Sequence, residues 1–171
     1  FLAQMIKYRD YQQSIIDKSV KIFNTSSFVY LAMEVRTGKT LTSLGIADRL
    51  GVRSVLFITK KKAISSIEED HNLLKPSYDL TVINYESVHK LPKNKYGMII
   101  CDEAHSMGAF PKPSKRAKQV KELIQYSSPY VILLSGTPTP ESFSQMYHQL
   151  YGIPNNPFIK CKNFYAFSKL Y

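Results

Sequence analysis

Residues 28–40 read FVYLAMEVRTGKT. The apolar run Phe28–Ala32 has the length and character of a buried strand. A polar turn follows, and Gly38-Lys39-Thr40 then opens a helix over Lys39–Leu50, with Gly51 placed as its C′ glycine. Strand, turn and helix in this order match the pattern GxxxxGK[ST] at Gly38, Lys39 and Thr40, while Met33 stands where the first glycine would be. Each matched residue has a chemical reason to be there. Gly38 lets the backbone pass close to phosphate, Lys39 brings a cation to the β- and γ-phosphates, and Thr40 offers a hydroxyl to Mg²⁺. The first N–H groups of the helix add a positive dipole end.

Working outward, apolar runs alternate with amphipathic stretches. Helices are expected at Asp10–Phe23, Lys62–Leu73, Lys115–Tyr126 and Glu141–Leu150. Strands are expected at Ser54–Thr59, Leu80–Asn84, Tyr96–Cys101 and Tyr130–Ser135. Five continuous apolar strands separated by helices predict an α/β fold, a mostly parallel sheet covered on both faces as a three-layer sandwich. Such a sheet collects its active loops at the carboxyl ends of the strands. The strand Tyr96–Cys101 runs directly into Asp102-Glu103-Ala104-His105. Two acids in that position need a cation, and Mg²⁺ carrying ATP supplies one: Asp102 and Thr40 to hold the metal, Glu103 to orient and deprotonate the attacking water.

Composition narrows the function classes. The chain has 171 residues, 44% hydrophobic and 21% charged, the balance of an ordinary globular protein. Its longest apolar runs fall far short of the roughly 18 residues that cross a bilayer, so no membrane role is expected. Two cysteines without a CxxC partner speak against a disulfide scaffold or a zinc site and for a reducing, cytoplasmic setting. Cys101 reads as an inert thiol in an apolar strand and Cys161 as an incidental surface residue. His71, His89 and His148 have no ligand-like spacing. Lys and Arg number 23 against 13 Asp and Glu, a net charge of +10. That excess, clustered at Lys60–Lys62, at Lys90, Lys93 and Lys95, and from Lys112 to Lys121, favours a polyanionic partner, most simply nucleic acid.

Further motifs fall into line with these. The ordered set Arg9-Asp10-Tyr11-Gln12, Ala32–Thr40, Phe57–Lys60, Val82–Glu86, Asp102–His105 and Leu134–Pro140 resembles the first RecA-like lobe of superfamily 2 helicases. The nearer likeness is to Snf2-type translocases and their phage relatives, in a form with the Asp-Glu-Ala-His box. The likeness spans nearly the whole chain. It implies a P-loop NTPase fold and a single ATP-binding lobe over 1–171, with the second lobe's motifs lying outside this sequence. It also implies ATP-driven movement along double-stranded DNA in a bacterial or phage-infected cytoplasm.

By that resemblance, Arg9 and Gln12 contact adenine, and Val35, Arg36, Thr37, Gly38, Lys39 and Thr40 bind the triphosphate. Asp102 and Glu103 serve metal and water. His105, Ser135 and Thr137 couple hydrolysis to movement, and Lys60, Lys61, Asn84 and Tyr85 lie on the nucleic-acid track. Two departures stand out: Arg36 replaces the glycine usual in motif I, and Glu141 stands where many relatives carry Asn. The rival readings are a nucleotide-dependent nucleic-acid clamp without useful turnover, an interaction scaffold with an idle site, and a restriction-type or RNA-directed motor of the same superfamily. Because the second lobe supplies arginine fingers worth about 10³–10⁵ in rate, the lone lobe is expected to bind nucleotide and hydrolyse it feebly.

Overall fold

The computed structural model describes residues 8–33, 38–92, 94–102, 115–127 and 129–135. Within them the chain runs α1 (Asp10–Phe23), β1 (Phe28–Ala32), α2 (Lys39–Leu50), β2 (Ser54–Thr59), α3 (Ile64–Leu74), β3 (Asp79–Asn84), β4 (Met98–Cys101), α4 (Lys115–Ser127) and β5 (Tyr130–Ser135). The five strands form one sheet in the order β1-β5-β4-β2-β3, and every neighbouring pair is parallel. This is the expected α/β sheet, and its helices lie on both faces. The anticipated helix Glu141–Leu150 lies outside the described residues.

Strand alternation divides the core in two. Phe28, Leu56, Ile58, Ile99, Cys101, Val131 and Leu133 face one side, where α4 contributes Val120 and Ile124. Val29, Leu31, Val55, Phe57, Met98, Ile100, Ile132 and Leu134 face the other, against Ile16 and Phe23 of α1, Leu44 and Ile46 of α2, and Ile67 of α3. Both faces of the central strands are therefore apolar, which explains why they read as unbroken hydrophobic runs and not as alternating ones. β3, at the sheet edge, keeps a polar alternation: Asp79 and Thr81 are exposed, Leu80 and Val82 half-buried.

Several boundaries differ from expectation, each for a local reason. The helix anticipated from Lys62 begins at Ile64, because Lys61–Ala63 make a tighter 3-10 turn first. β4 starts at Met98, two residues later than expected: Tyr96 N–H donates to the Ser127 side chain at 3.3 Å, and Gly97 only joins the sheet, its N–H donating to Ser54 O at 3.0 Å and its carbonyl accepting from Tyr130 N–H at 3.0 Å. Residues Tyr85–Lys90 form a 3-10 segment that the sequence pattern did not reveal.

Helix ends follow the same economy. Gly51 sits at φ 72°, the left-handed C-cap anticipated for α2. α3 ends the same way on Lys75 at φ 48°, a conformation that disfavours a side chain with a Cβ. Replacing Lys75 with Gly is expected to raise stability by up to about 1 kcal/mol, read as a higher midpoint in denaturant unfolding with an unchanged slope.

A second expectation concerns Cys101, fully buried in β4. Burial and the neighbouring Asp102 push its thiol up to about 12. With folded value above unfolded, the thiol favours the native state below about pH 9 and that contribution fades as pH rises toward 12. In a Cys161→Ser chain, a thiol reagent at pH 8.5 should label native protein at least about a hundredfold more slowly than denatured protein.

Candidate functional site

In a parallel sheet all the carboxyl ends fall on one edge. Here the register aligns Ala32 with Ser135, Ile58 with Cys101 and Thr59 with Asn84. The residues just past these positions are the candidates, and three of the segments leaving this edge meet around one carboxylate.

Asp102 follows β4 and keeps its strand parity. Met98, Ile100 and Asp102 are two apart and share a face, the face covered by α2. Its backbone N–H donates to Ile58 O at 2.8 Å, continuing the ladder one step beyond the strand. Thr59, by the same parity from Val55 and Phe57, lies on that face too. Thr59 is fully buried, and its Oγ1 donates to Asp102 Oδ2 at 2.8 Å. From the α2 side, Lys39 Nζ sits 3.0 Å from Asp102 Oδ1, with the two side chains only 13% and 8% exposed. A cation suited to phosphate and an anion suited to a metal are thus held side by side at the N-terminus of a helix.

Gly38 makes that position possible. It caps α2 at φ 74°, in the left-handed region. Its carbonyl accepts from Thr42 N–H at 3.0 Å, from Thr42 Oγ1 at 2.9 Å and from Gln12 Nε2 at 3.3 Å. A Cβ added at Gly38 would fall 2.0 Å from that same amide nitrogen. Gln12 is itself buried, and its Oε1 accepts the N–H of Arg9 at 2.9 Å, the reciprocal half of a helix capping box. One amide therefore joins the start of α1 to the phosphate turn. Arg9 is exposed at the head of α1, beside Tyr11. The adenine contact expected of Gln12 meets an amide already bonded to protein on both of its ends.

The nucleic-acid candidates divide. Lys60, Lys61 and Lys62 are exposed directly after β2, and half-buried Asn84 donates from Nδ2 to Glu86 Oε2 at 2.8 Å. Tyr85 requires a correction. Its side chain is 2% exposed, packed with Leu56, Ile58 and Cys101, and its hydroxyl donates to the Asp102 carbonyl at 2.5 Å. An aromatic ring with a satisfied hydroxyl belongs to the core and does not face a nucleic-acid track. Thr59, as a partner of Asp102, was missed; a threonine ending an apolar strand looks like any β-branched strand residue, and its partner is 43 positions away.

Val35, Arg36, Thr37, Glu103, His105 and Thr137 lie outside the described residues, and Ser135 is placed by its backbone as the end of β5. Among the described residues no group of three or more His, Cys, Asp or Glu could hold a metal by itself. Mg²⁺ takes one or two carboxylates and fills its shell with water and substrate phosphates. Thr40, the second residue of α2, and Asp102 carry the oxygen donors, hydroxyl and carboxylate, that such a metal takes. No helix of the described residues is long and apolar enough to cross a membrane.

Comparison with known proteins agrees with this geometry. The SNF2-related domain model matches residues 46–169, and the model of the type III restriction enzyme res subunit matches residues 5–78. No curated protein matches the sequence. Among solved structures, the Sulfolobus solfataricus SWI2/SNF2 ATPase core in complex with double-stranded DNA is similar over 96% of this chain and 42% of its own, at 19% identity and a TM-score of 0.63. The Pyrococcus furiosus Hef helicase domain is similar over 83% of this chain and 36% of its own, at 16% identity and a TM-score of 0.59. A nuclease-deletion mutant of the type ISP restriction-modification enzyme LlaGI, in complex with a DNA substrate mimic, is similar over 78% and 18%, at 17% identity and 0.56. The chain thus spans less than half the length of these relatives, and the likeness extends to the fold.

Two outcomes test the site. Gly38→Ala should destabilise the chain by about 1–3 kcal/mol through strain and overlap together, read by denaturant unfolding. Lys39→Ala and Asp102→Ala should each cost about 3 kcal/mol, while the double variant costs much less than the sum.

Proposed function

The chain belongs to the SNF2-related domain family, and on that premise we propose that it is the ATP-binding lobe of a motor that moves along nucleic acid. The observation that carries the reading is the Lys39–Asp102 pair, 3.0 Å apart and mostly shielded from water, at the N-terminus of α2. A structural ion pair alone is weak ground for stability, since burying two charges costs about as much as their attraction returns. The pair makes better sense as ready-made recognition of a metal-bound triphosphate.

In this reading the N–H groups heading α2 and the Lys39 ammonium meet the β- and γ-phosphates. Thr40 and Asp102 are the residues to hold Mg²⁺, which when bound neutralises phosphate charge. Glu103 takes the proton of the attacking water. Gln12 and Arg9 define the adenine side, Gln12 by fixing the turn at Gly38. Arg36 stands in the phosphate turn as an extra cation, and His105, Ser135 and Thr137 link hydrolysis to movement. Lys60, Lys61 and Asn84 face the partner. Double-stranded DNA is the partner we favour, given the net charge of +10 and the DNA-bound relative of the same family. Contacts to phosphates make binding insensitive to sequence and sensitive to salt. A second RecA-like lobe completes the catalytic site, so the lobe alone turns over slowly. The match of residues 5–78 to the restriction res subunit supports a second setting, the same motor serving a restriction nuclease.

The test is direct. Mg²⁺–ATP binding by this chain, followed with a fluorescent nucleotide, should be lost in Lys39→Ala and kept within a few-fold in Glu103→Gln. Glu103→Gln should also lower single-turnover hydrolysis by about 10²-fold or more. Wild-type protein that binds neither ATP nor ADP at millimolar concentration overturns the reading.

A further inference from the structure

We propose that Thr59 is a positioning residue for the metal-binding acid: its hydroxyl orients the Asp102 carboxylate, and Tyr85 fixes the backbone beneath it. The inference rests on the reading of Asp102 as a metal ligand given above, and adds two residues from neighbouring segments that act through it.

The geometry is specific. The two carboxylate oxygens of Asp102 have different partners, Thr59 Oγ1 at 2.8 Å from Oδ2 and Lys39 Nζ at 3.0 Å from Oδ1. A carboxylate gripped at both oxygens cannot rotate about its last bond without breaking one of these contacts. The Asp102 carbonyl accepts the Tyr85 hydroxyl at 2.5 Å, and its N–H donates to Ile58 O at 2.8 Å. Side chain and backbone of one residue are thus held by the end of β2 and by the segment after β3. Thr59 is fully buried, Tyr85 2% exposed and Asp102 6% exposed.

Burying a threonine hydroxyl at the end of an otherwise apolar strand would be unfavourable without a partner. Valine has the same shape and would satisfy the core alone. The hydroxyl is therefore accounted for by what it binds. Groups that orient a metal ligand commonly change metal affinity by about 10–100-fold when removed.

The experiment titrates Mg²⁺ against binding of a fluorescent ATP analogue by the full chain, for wild type, Thr59→Val, Thr59→Ser and Tyr85→Phe. Thr59→Val should raise the Mg²⁺ concentration at half-maximal binding by about tenfold, with nucleotide affinity in excess EDTA unchanged. Thr59→Ser keeps the hydroxyl and should return the value to within about threefold of wild type. Tyr85→Phe should shift the same midpoint less. Placed on an Asp102→Asn background, Thr59→Val should add nothing. A Thr59→Val chain with the wild-type Mg²⁺ midpoint overturns the inference. So does a Thr59→Ser chain that behaves like Thr59→Val, because then the methyl group and packing, not the hydroxyl, are at work. If wild type binds nucleotide with no Mg²⁺ dependence, the metal reading of Asp102 fails first, and this inference with it.

Discussion

A carboxylate and an ammonium share a site nearly closed to water, and the rest of the molecule is arranged so that they can. Neither Lys39 nor Asp102 would be tolerated there alone, since a buried unpaired charge neutralises or drives the chain open. Bringing them together needs α2 to start at the end of β1 and β4 to end beside β2. That in turn needs a parallel sheet whose carboxyl ends share one edge. It also needs the left-handed turn at Gly38, because a residue with a Cβ would collide with Gln12. Fold and site are in this sense one requirement met at two scales.

The two cores reflect the same arrangement. Odd and even strand positions separate Cys101 from Asp102 although they are chain neighbours. Cys101 points into the layer with α4, where burial and the adjoining charge suppress its ionisation. Asp102 points to the α2 layer, where Lys39 and Thr59 receive it. A shift of register by one residue would exchange them, placing the acid among Val120, Ile124 and Phe28. The apolar residues of β4 thus fix which side of the sheet can do chemistry.

Much of this was legible from residues alone, and the exceptions are instructive. β1, β2, β5, α1 and α2 begin and end at the expected residues, because each is bounded by a strong local signal such as Gly38, Gly51 or an abrupt change in polarity. β4 and α3 were misjudged at their starts, where tertiary hydrogen bonds and a 3-10 turn override local preference. Lys39 and Asp102 were recognisable because each sits in a short motif with a chemical meaning. Thr59 was not, because its role depends on a strand pairing that no local window contains. Tyr85 was misread for a related reason. It was assigned to the nucleic-acid track by the resemblance of the Val82–Glu86 segment, and its burial depends on packing and on a hydroxyl bond to Asp102 that no local window contains.

The strand order has a consequence for how the protein is made. β1 ends at Ala32, and its hydrogen-bonded neighbour β5 begins at Tyr130. At a synthesis rate of roughly 5–20 residues per second, the apolar edge of β1 emerges from the ribosome on the order of 5–20 s before its partner exists. β2 and β3, adjacent in both chain and sheet, can pair meanwhile and offer a nucleus to which β4 adds. β1 must wait for β5 to bridge it to that nucleus. β1 is therefore synthesised well before the strand that secures it, which makes the nascent chain a natural client for chaperones that shield strand edges.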